Sequence, residues 1–269
     1  MTSMQPTRPI INLFLLLNIF VIIMSLPLSG KIALIIGAGS GIGRAACRLL
    51  NRDGATIVAA DRNAEAAKDV ANSLSGDNQF IELEVSNKQS IQNGLQNILN
   101  KFDAPPTIIV NAAGIIRDNF ILKLDEDYFD DVIRVNLKGT FLIMQSCANA
   151  MVEKNVSNGT IINIGSIVSK MGNIGQANYV SSKAGVEAIT KTASKEFGKF
   201  GIRVNCILPG FINTPMTESV PQKVKDIMTM QCALRRFGKP DEVAEVIAFL
   251  ASDKSSYVNG ASIEVTGGL

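Results

Sequence analysis

Ile32-Ala33-Leu34-Ile35-Ile36-Gly37-Ala38-Gly39-Ser40-Gly41-Ile42-Gly43-Arg44 is the stretch whose reading decides the fold. Its first five residues form an apolar run of strand length, and glycines at 37, 41 and 43 follow before a helical pattern begins. The spacing is G-x-x-x-G-x-G; a G-x-G-x-x-G reading fails because the residue three after Gly39 is Ile42. Glycines at a strand-to-helix turn keep side chains out of the space where backbone approaches a ligand. The helix beyond directs unpaired N–H groups and the positive end of its dipole at the same space, which suits a pyrophosphate. Plain α/β proteins carry such turns too, so its significance rests on the residues downstream.

Apolar runs predict further strands at 56–60, 79–85, 107–110, 160–164, 202–208 and 262–265. Helical patterns at 41–52, 63–74, 89–102, about 125–153, from about 176 and at 240–251 lie between or beside them. This alternation predicts one α/β domain: a doubly wound parallel sheet of about seven strands with helices on both faces. Residues 211–237 break the pattern and are rich in Phe211, Ile212, Met216, Val220, Val224 and Met228, which predicts a loop with a short helix serving as an apolar lid.

A chain of 269 residues is long enough to bury a full core. A net charge of +2, with no basic run interleaved with aromatics, argues against nucleic acid. Cys47, Cys147, Cys206 and Cys232 show no C-x-x-C spacing and read as free thiols. There is no histidine, so no metal site is expected and proton transfer falls to tyrosine, lysine or a carboxylate. Ile10 to Leu28 is almost wholly apolar and long enough to span a bilayer, so residues 1–28 are set apart from a catalytic domain at 29–269. Three readings of that segment stand open: a membrane or signal anchor, a cleaved organelle presequence, or a start at Met24.

Asp61 closes the second strand near the interval expected of an acid that binds a ribose 2′-hydroxyl; capping the next helix is the alternative. Asn111-Ala112-Ala113-Gly114 follows the fourth strand, where doubly wound sheets bind ligands. Asn136 sits in an apolar helical run, either as a site residue or as a partner for a neighbour's backbone. Ser166 lies just past the fifth strand, and Tyr179 and Lys183 share one helix face at i and i+4. A tyrosine serves as acid for a carbonyl only if its pKa falls from about 10 towards neutrality, and a nearby ammonium favours that. The Ser166 hydroxyl is placed to polarise the same oxygen.

Taken in order, Gly37-x-x-x-Gly41-x-Gly43, Asn111-Ala-Ala-Gly114, Asn136, Ser166, Tyr179-x-x-x-Lys183 and Pro209-Gly210-x-x-x-Thr214 closely resemble the short-chain dehydrogenase/reductase family across residues 29–269. Within it, the stretches 114–119, 136–141, 172–179 and 265–269 resemble the 3-oxoacyl-[acyl-carrier-protein] reductases and their mitochondrial 17-beta-hydroxysteroid dehydrogenase branch. The resemblance implies a Rossmann-type fold. It implies that Tyr179 exchanges the proton, Ser166 orients the carbonyl, Lys183 binds the nicotinamide ribose and lowers the tyrosine pKa, and Asn136 holds a relay water. A dinucleotide is expected on Gly37, Ser40, Gly41, Ile42, Gly43, Asp61, Arg62, Glu84 and Val85, on 111–114 (Asn111, Ala112, Ala113, Gly114), on Tyr179 and Lys183, and on Pro209, Gly210, Ile212 and Thr214.

NAD is expected over NADP, because Asp61 opposes a 2′-phosphate and Ser40 stands where NADP-preferring relatives often place a basic residue; Arg62 is the opposing signal. Ile36, Ala112 and Glu84 depart from the usual threonine, asparagine and aspartate, which bears on cofactor affinity more than on chemistry. The substrate is expected to be a fatty acyl thioester or a 17-hydroxysteroid. A polyol or sugar dehydrogenase would want a more polar lid, and a non-catalytic dinucleotide-binding scaffold would be expected to lose catalytic residues. Resemblance further implies a homotetramer, or a heterotetramer with a second reductase subunit, and a mitochondrial location. A membrane-bound protein, if residues 10–28 are retained, and a cytoplasmic one are the alternatives.

Overall fold

The structure, a computed structural model, describes residues 26–218 and 220–269. The apolar stretch 10–25 and the readings placed on it lie outside the described residues. Among the described residues no helix is long and apolar enough to cross a membrane.

Seven parallel strands form one sheet: β1 Ile32–Ile36, β2 Thr56–Asp61, β3 Gln79–Glu82, β4 Ile108–Asn111, β5 Thr160–Ile164, β6 Arg203–Pro209 and β7 Ser262–Val265. Their order is β3-β2-β1-β4-β5-β6-β7. The chain thus winds outward from β1 to β3, crosses back, and winds the other way from β4. At the reversal β1 lies beside β4 with Ile36 opposite Asn111, so the loops after these two strands diverge and leave a crevice at the carboxyl end of the sheet.

Helices α1 Gly41–Arg52, α2 Ala64–Asn72 and α3 Lys88–Phe102 follow the first three strands. After β4 come α4 Glu126–Val132, a π-helical segment Ile133–Gly139 and α5 Thr140–Glu153. The short α6 Val168–Met171 and the long α7 Ala177–Phe197 follow β5; α8 Pro215–Glu218, α9 Gln222–Gln231 and α10 Pro240–Ala251 follow β6.

Successive strand residues point to opposite faces, so the five inner strands feed two cores. Ala33, Ile35, Ile57, Val110, Ile162 and Ile207 pack with Leu50, Val243 and Ile247 on one face. Leu34, Ile36, Val58, Ile109, Ile161 and Val204 pack with Ile98, Ile143 and Met151 on the other. Apolar runs without polar alternation are what a sheet covered on both faces requires.

The elements depart from the sequence expectations in a few places. The third strand stops at Glu82 instead of Val85, because the chain turns there: the Glu84 N–H donates to Ser90 Oγ and Asn87 caps α3. The helix expected over 125–153 is broken by the π segment at 133–139, and the lid at 211–237 holds two helices. Leu28, set outside the domain on sequence, is fully buried in the first core, and its N–H donates to the Asp53 carbonyl at 2.9 Å. The fold therefore takes up the chain before residue 29.

Candidate active site

The crevice opens into a cavity of about 890 Å³, within the roughly 300–1,000 Å³ usual for small-molecule sites. Its floor is the glycine turn. A Cβ on Gly43 would come within 2.1 Å of the Gly37 carbonyl oxygen, and one on Gly37, where φ is +79°, within 2.7 Å of the Ala113 nitrogen. Side chains are thereby excluded and the α1 N-terminus stands open, a cradle that fits a dinucleotide's pyrophosphate. Thr214 closes the other side, its Cγ2 3.2 Å from a Cβ built on Gly41.

Asp61 is anchored at the far end of the turn. Its Oδ2 accepts the Gly39 N–H at 2.9 Å and its Oδ1 the Asn63 N–H at 3.0 Å. Asn63, not Asp61, caps α2, so the capping alternative for Asp61 falls. Arg62, Glu84 and Val85 share this end of the cavity wall with Asp61. One Glu84 oxygen accepts both the backbone N–H and the hydroxyl of Ser86.

At the centre, β5 delivers Ser166 just past its end, and α7 presents Tyr179 and Lys183 one turn apart. The Lys183 ammonium lies 5.7 Å from the Tyr179 ring centroid and donates to the Ile164 carbonyl at 2.7 Å. The expectation that the cation draws the phenol towards neutrality does not hold for the protein's groups alone. Burial pushes Tyr179 up to about 12; the Ser166 hydrogen bond acts against this and the Asp118 carboxylate adds to it. Burial also pulls Lys183 down to about 8, since an ammonium with one carbonyl partner is poorly solvated there.

Two expected site residues are not brought to the cavity wall. Asn111 points to the second-core face of the sheet, its Nδ2 donating to Asn163 Oδ1 at 2.8 Å, because strand alternation turns it there and leaves Ala112, Ala113 and Gly114 to face the crevice. The Asn136 amide is consumed by neighbours: Oδ1 accepts the Ile115 N–H at 2.8 Å, and Nδ2 donates to the Ile115 carbonyl at 3.0 Å and to Ser182 Oγ at 3.1 Å. It clamps the segment after β4 from within the π turn, with its Oδ1 3.4 Å from where a Gly114 Cβ would lie. The other predicted residues, from Gly37 and Ser40 to Pro209, Gly210, Ile212 and Thr214, line the one cavity.

Several wall residues were not read as functional from sequence. Gly39 fell outside the counted glycine spacing, although a Cβ there would meet Asp61 Oδ2 at 2.9 Å. Asp118 and Gln176 lay inside family-like stretches with no motif of their own; only the fold shows Gln176 Nε2 donating to Asp118 Oδ2 at 2.9 Å. Phe211, Met216, Val224 and Met228, expected in an apolar lid, line the cavity.

Comparison with known proteins agrees with this geometry. The family described as enoyl-(acyl carrier protein) reductase matches residues 37–269. A (3R)-3-hydroxyacyl-CoA dehydrogenase from Mus musculus is 47% identical over 91% of this chain and 98% of its own length. A 3-oxoacyl-[acyl-carrier-protein] reductase from Thermotoga maritima is 44% identical over 90% of this chain and 98% of its own. A solved structure titled ribose-5-phosphate isomerase from Brucella melitensis superposes with a TM-score of 0.85 at 34% identity, covering 91% of this chain and 93% of that one. It shares the architecture and carries the name of a different reaction.

Proposed function

Because the chain belongs to the short-chain dehydrogenase/reductase family of NAD(P)-dependent oxidoreductases, we propose that it interconverts the 3-oxo and 3-hydroxy groups of fatty acyl thioesters, with NAD as the hydride carrier. One observation carries the reading: a single cavity joins a pyrophosphate cradle, the Ser166, Tyr179 and Lys183 group, and an apolar lid. The nicotinamide, when bound, gives or takes the hydride. Tyr179 exchanges the proton at the substrate oxygen, and the Ser166 hydroxyl hydrogen-bonds that oxygen as its charge changes.

The raised pKa of Tyr179 keeps the phenol protonated at neutral pH, which suits proton delivery to a ketone. Alcohol oxidation needs the phenolate, so its rate is expected to rise with pH. Lys183 is held beside the Tyr179 ring by the Ile164 carbonyl and favours that phenolate while it carries its own proton. Asn136 acts as a positioning residue, holding Ile115 and hence the loop opposite Tyr179.

The preference for NAD rests on the anchored Asp61 carboxylate. Held by Gly39 and Asn63, it has no freedom to swing away from a 2′-phosphate. At about 4 Å and an effective dielectric near 20 that encounter costs roughly 4 kcal/mol, which the exposed Arg62 offsets only in part. Specificity constants of the full chain with 3-oxoacyl thioesters, 17-hydroxysteroids and polyols, each with NAD(H) and NADP(H), test both parts. Turnover of steroids or polyols without thioesters would overturn the substrate, and a wild-type preference for NADPH would overturn the role given to Asp61.

Assembly is proposed to be tetrameric, by homo- or hetero-association. Phe141 on α5 is 42% exposed, and Ile121 and Leu122, after β4, stand out at 75% and 98%. Ile189 on α7, by contrast, packs against the second core. A stable monomer by light scattering at micromolar concentration would refute the assembly, and fractionation to membranes or cytosol would refute the mitochondrial location proposed with it.

A further inference from the structure

Five charged side chains line the cavity among the described residues: Asp61, Arg62, Glu84, Asp118 and Lys183. The first three gather at the end of the cavity beside β2. Lys183 is 5% exposed and committed to the Ile164 carbonyl. Asp118 is therefore the charge that the substrate half presents, amid Ile116, Ile174, Phe211, Met216 and Val224.

Its position is fixed by a row of contacts. Asp118 Oδ2 accepts Gln176 Nε2 at 2.9 Å, and Gln176 Oε1 in turn accepts Asn173 Nδ2 at 2.8 Å. On either side of it, the Arg117 carbonyl accepts the Nδ2 of the buried Asn178 at 2.9 Å, and the Asn119 N–H donates to the Gly175 carbonyl at 2.9 Å. Residues 117–119 are thus stitched to 175–178, and Gln176 lies three residues before Tyr179 at the start of α7. A carboxylate that bears on the Tyr179 phenol and makes no ion pair among the described residues acts on whatever charge the substrate brings.

We propose that Asp118 is a charge filter, which admits 3-oxoacyl groups in neutral linkage, such as thioesters, and rejects the corresponding free 3-oxo acids. This rests on the 3-oxoacyl reading above. In a free 3-oxo acid the carboxylate is only two carbons from the ketone, so placing the ketone at Ser166 and Tyr179 forces the anion into the part of the cavity that Asp118 faces. A thioester of the same acyl group carries no charge there. For charges about 7 Å apart the discrimination is roughly 3-fold in a water-like dielectric and about 50-fold at an effective dielectric near 20. Asp118 is exposed, and a value of about tenfold is expected.

The test compares acetoacetate with the acetoacetyl thioester of N-acetylcysteamine, at saturating NADH, in wild type, Asp118→Asn and Asp118→Glu. The asparagine keeps an acceptor for Gln176 and removes the charge. The ratio of kcat/KM for acetoacetate over the thioester should rise about tenfold in Asp118→Asn, chiefly through KM, and stay near the wild-type ratio in Asp118→Glu. A ratio that moves less than about twofold in Asp118→Asn, or a wild type that reduces both compounds equally, overturns the filter and leaves the reaction standing. A wild type that reduces neither overturns the reaction and the filter with it.

Discussion

Raising the pH should unfold this protein along a course set by groups that its core holds in the wrong state for alkali. Burial pushes the thiols of Cys47, Cys147 and Cys206 from 9.0 up to about 12. A group whose folded pKa lies above its unfolded value contributes fully below the lower figure and loses that contribution as pH climbs to the higher one. Each thiol therefore removes about 1.4 kcal/mol of stability per pH unit between pH 9 and 12. Lys183 works the other way: with its pKa lowered from 10.5 to about 8, the unfolded chain holds a proton that the native state has shed, and stability gains about 1.4 kcal/mol per unit until pH 10.5. Tyr179, raised from 10.0 to about 12, joins the thiols above pH 10. The net loss is about 3 kcal/mol from pH 9 to 10 and roughly 7 kcal/mol by pH 11, comparable with the whole stability of an ordinary domain. Urea midpoints at pH 8.5, 9, 10 and 10.5, with the slope m checked for constancy, measure this directly. The double variant Cys47→Ala/Cys147→Ala leaves one thiol against Lys183 and should be flat between pH 9 and 10, whatever its starting stability. A wild type with an unchanged midpoint from pH 9 to 10, or a double variant that declines as steeply as wild type, would refute the account.

Three substitutions probe the site. Tyr179→Phe should bind NADH with wild-type affinity by fluorescence titration and lose about 10²–10⁴ in kcat, the usual worth of a placed acid–base group; a near wild-type rate would remove Tyr179 from that role. Gly43→Ala puts a methyl 2.1 Å from the Gly37 carbonyl oxygen, so the turn must move; NADH affinity should fall by at least tenfold, and an unchanged dissociation constant would show that the turn is not the cradle. Asn136→Ala strips Ile115 of both partners and should lower stability by about 1–3 kcal/mol while lowering kcat; unchanged urea midpoints would show that the clamp is dispensable.

Most of the fold was legible in the sequence because a doubly covered parallel sheet writes itself as separate apolar runs, and β1, β2, β4 and β5 fell within a residue or so of their predicted bounds. The third strand was overrun at 83–85 because burial continues where pairing stops: Leu83 and Val85 are still core residues. The π turn left no mark, since one extra residue per turn barely alters the apolar rhythm of Val132 to Leu142. At the site, residues whose type is demanded by chemistry or by space were readable: Ser166, Tyr179, Lys183 and the glycines. Asn111 and Asn136 were assigned by motif, but their side-chain directions depend on strand parity and on the distant partners Asn163 and Ser182. Asp118 escaped because its meaning depends on Gln176, 58 positions away.

The reversal of strand order has a bearing on how the molecule is made. Strand β1, which bears the glycine turn, pairs with β4, whose first residue lies more than seventy positions later, and β4 in turn waits for β5 and β6. Non-local pairings of this kind form slowly and late. During synthesis the turn therefore emerges early yet faces no opposing wall until residues 108–114 arrive, and Thr214 comes roughly a hundred residues after that. Because the cavity walls come from residues between 36 and 228, a dinucleotide finds its complete pocket only once most of the chain is out.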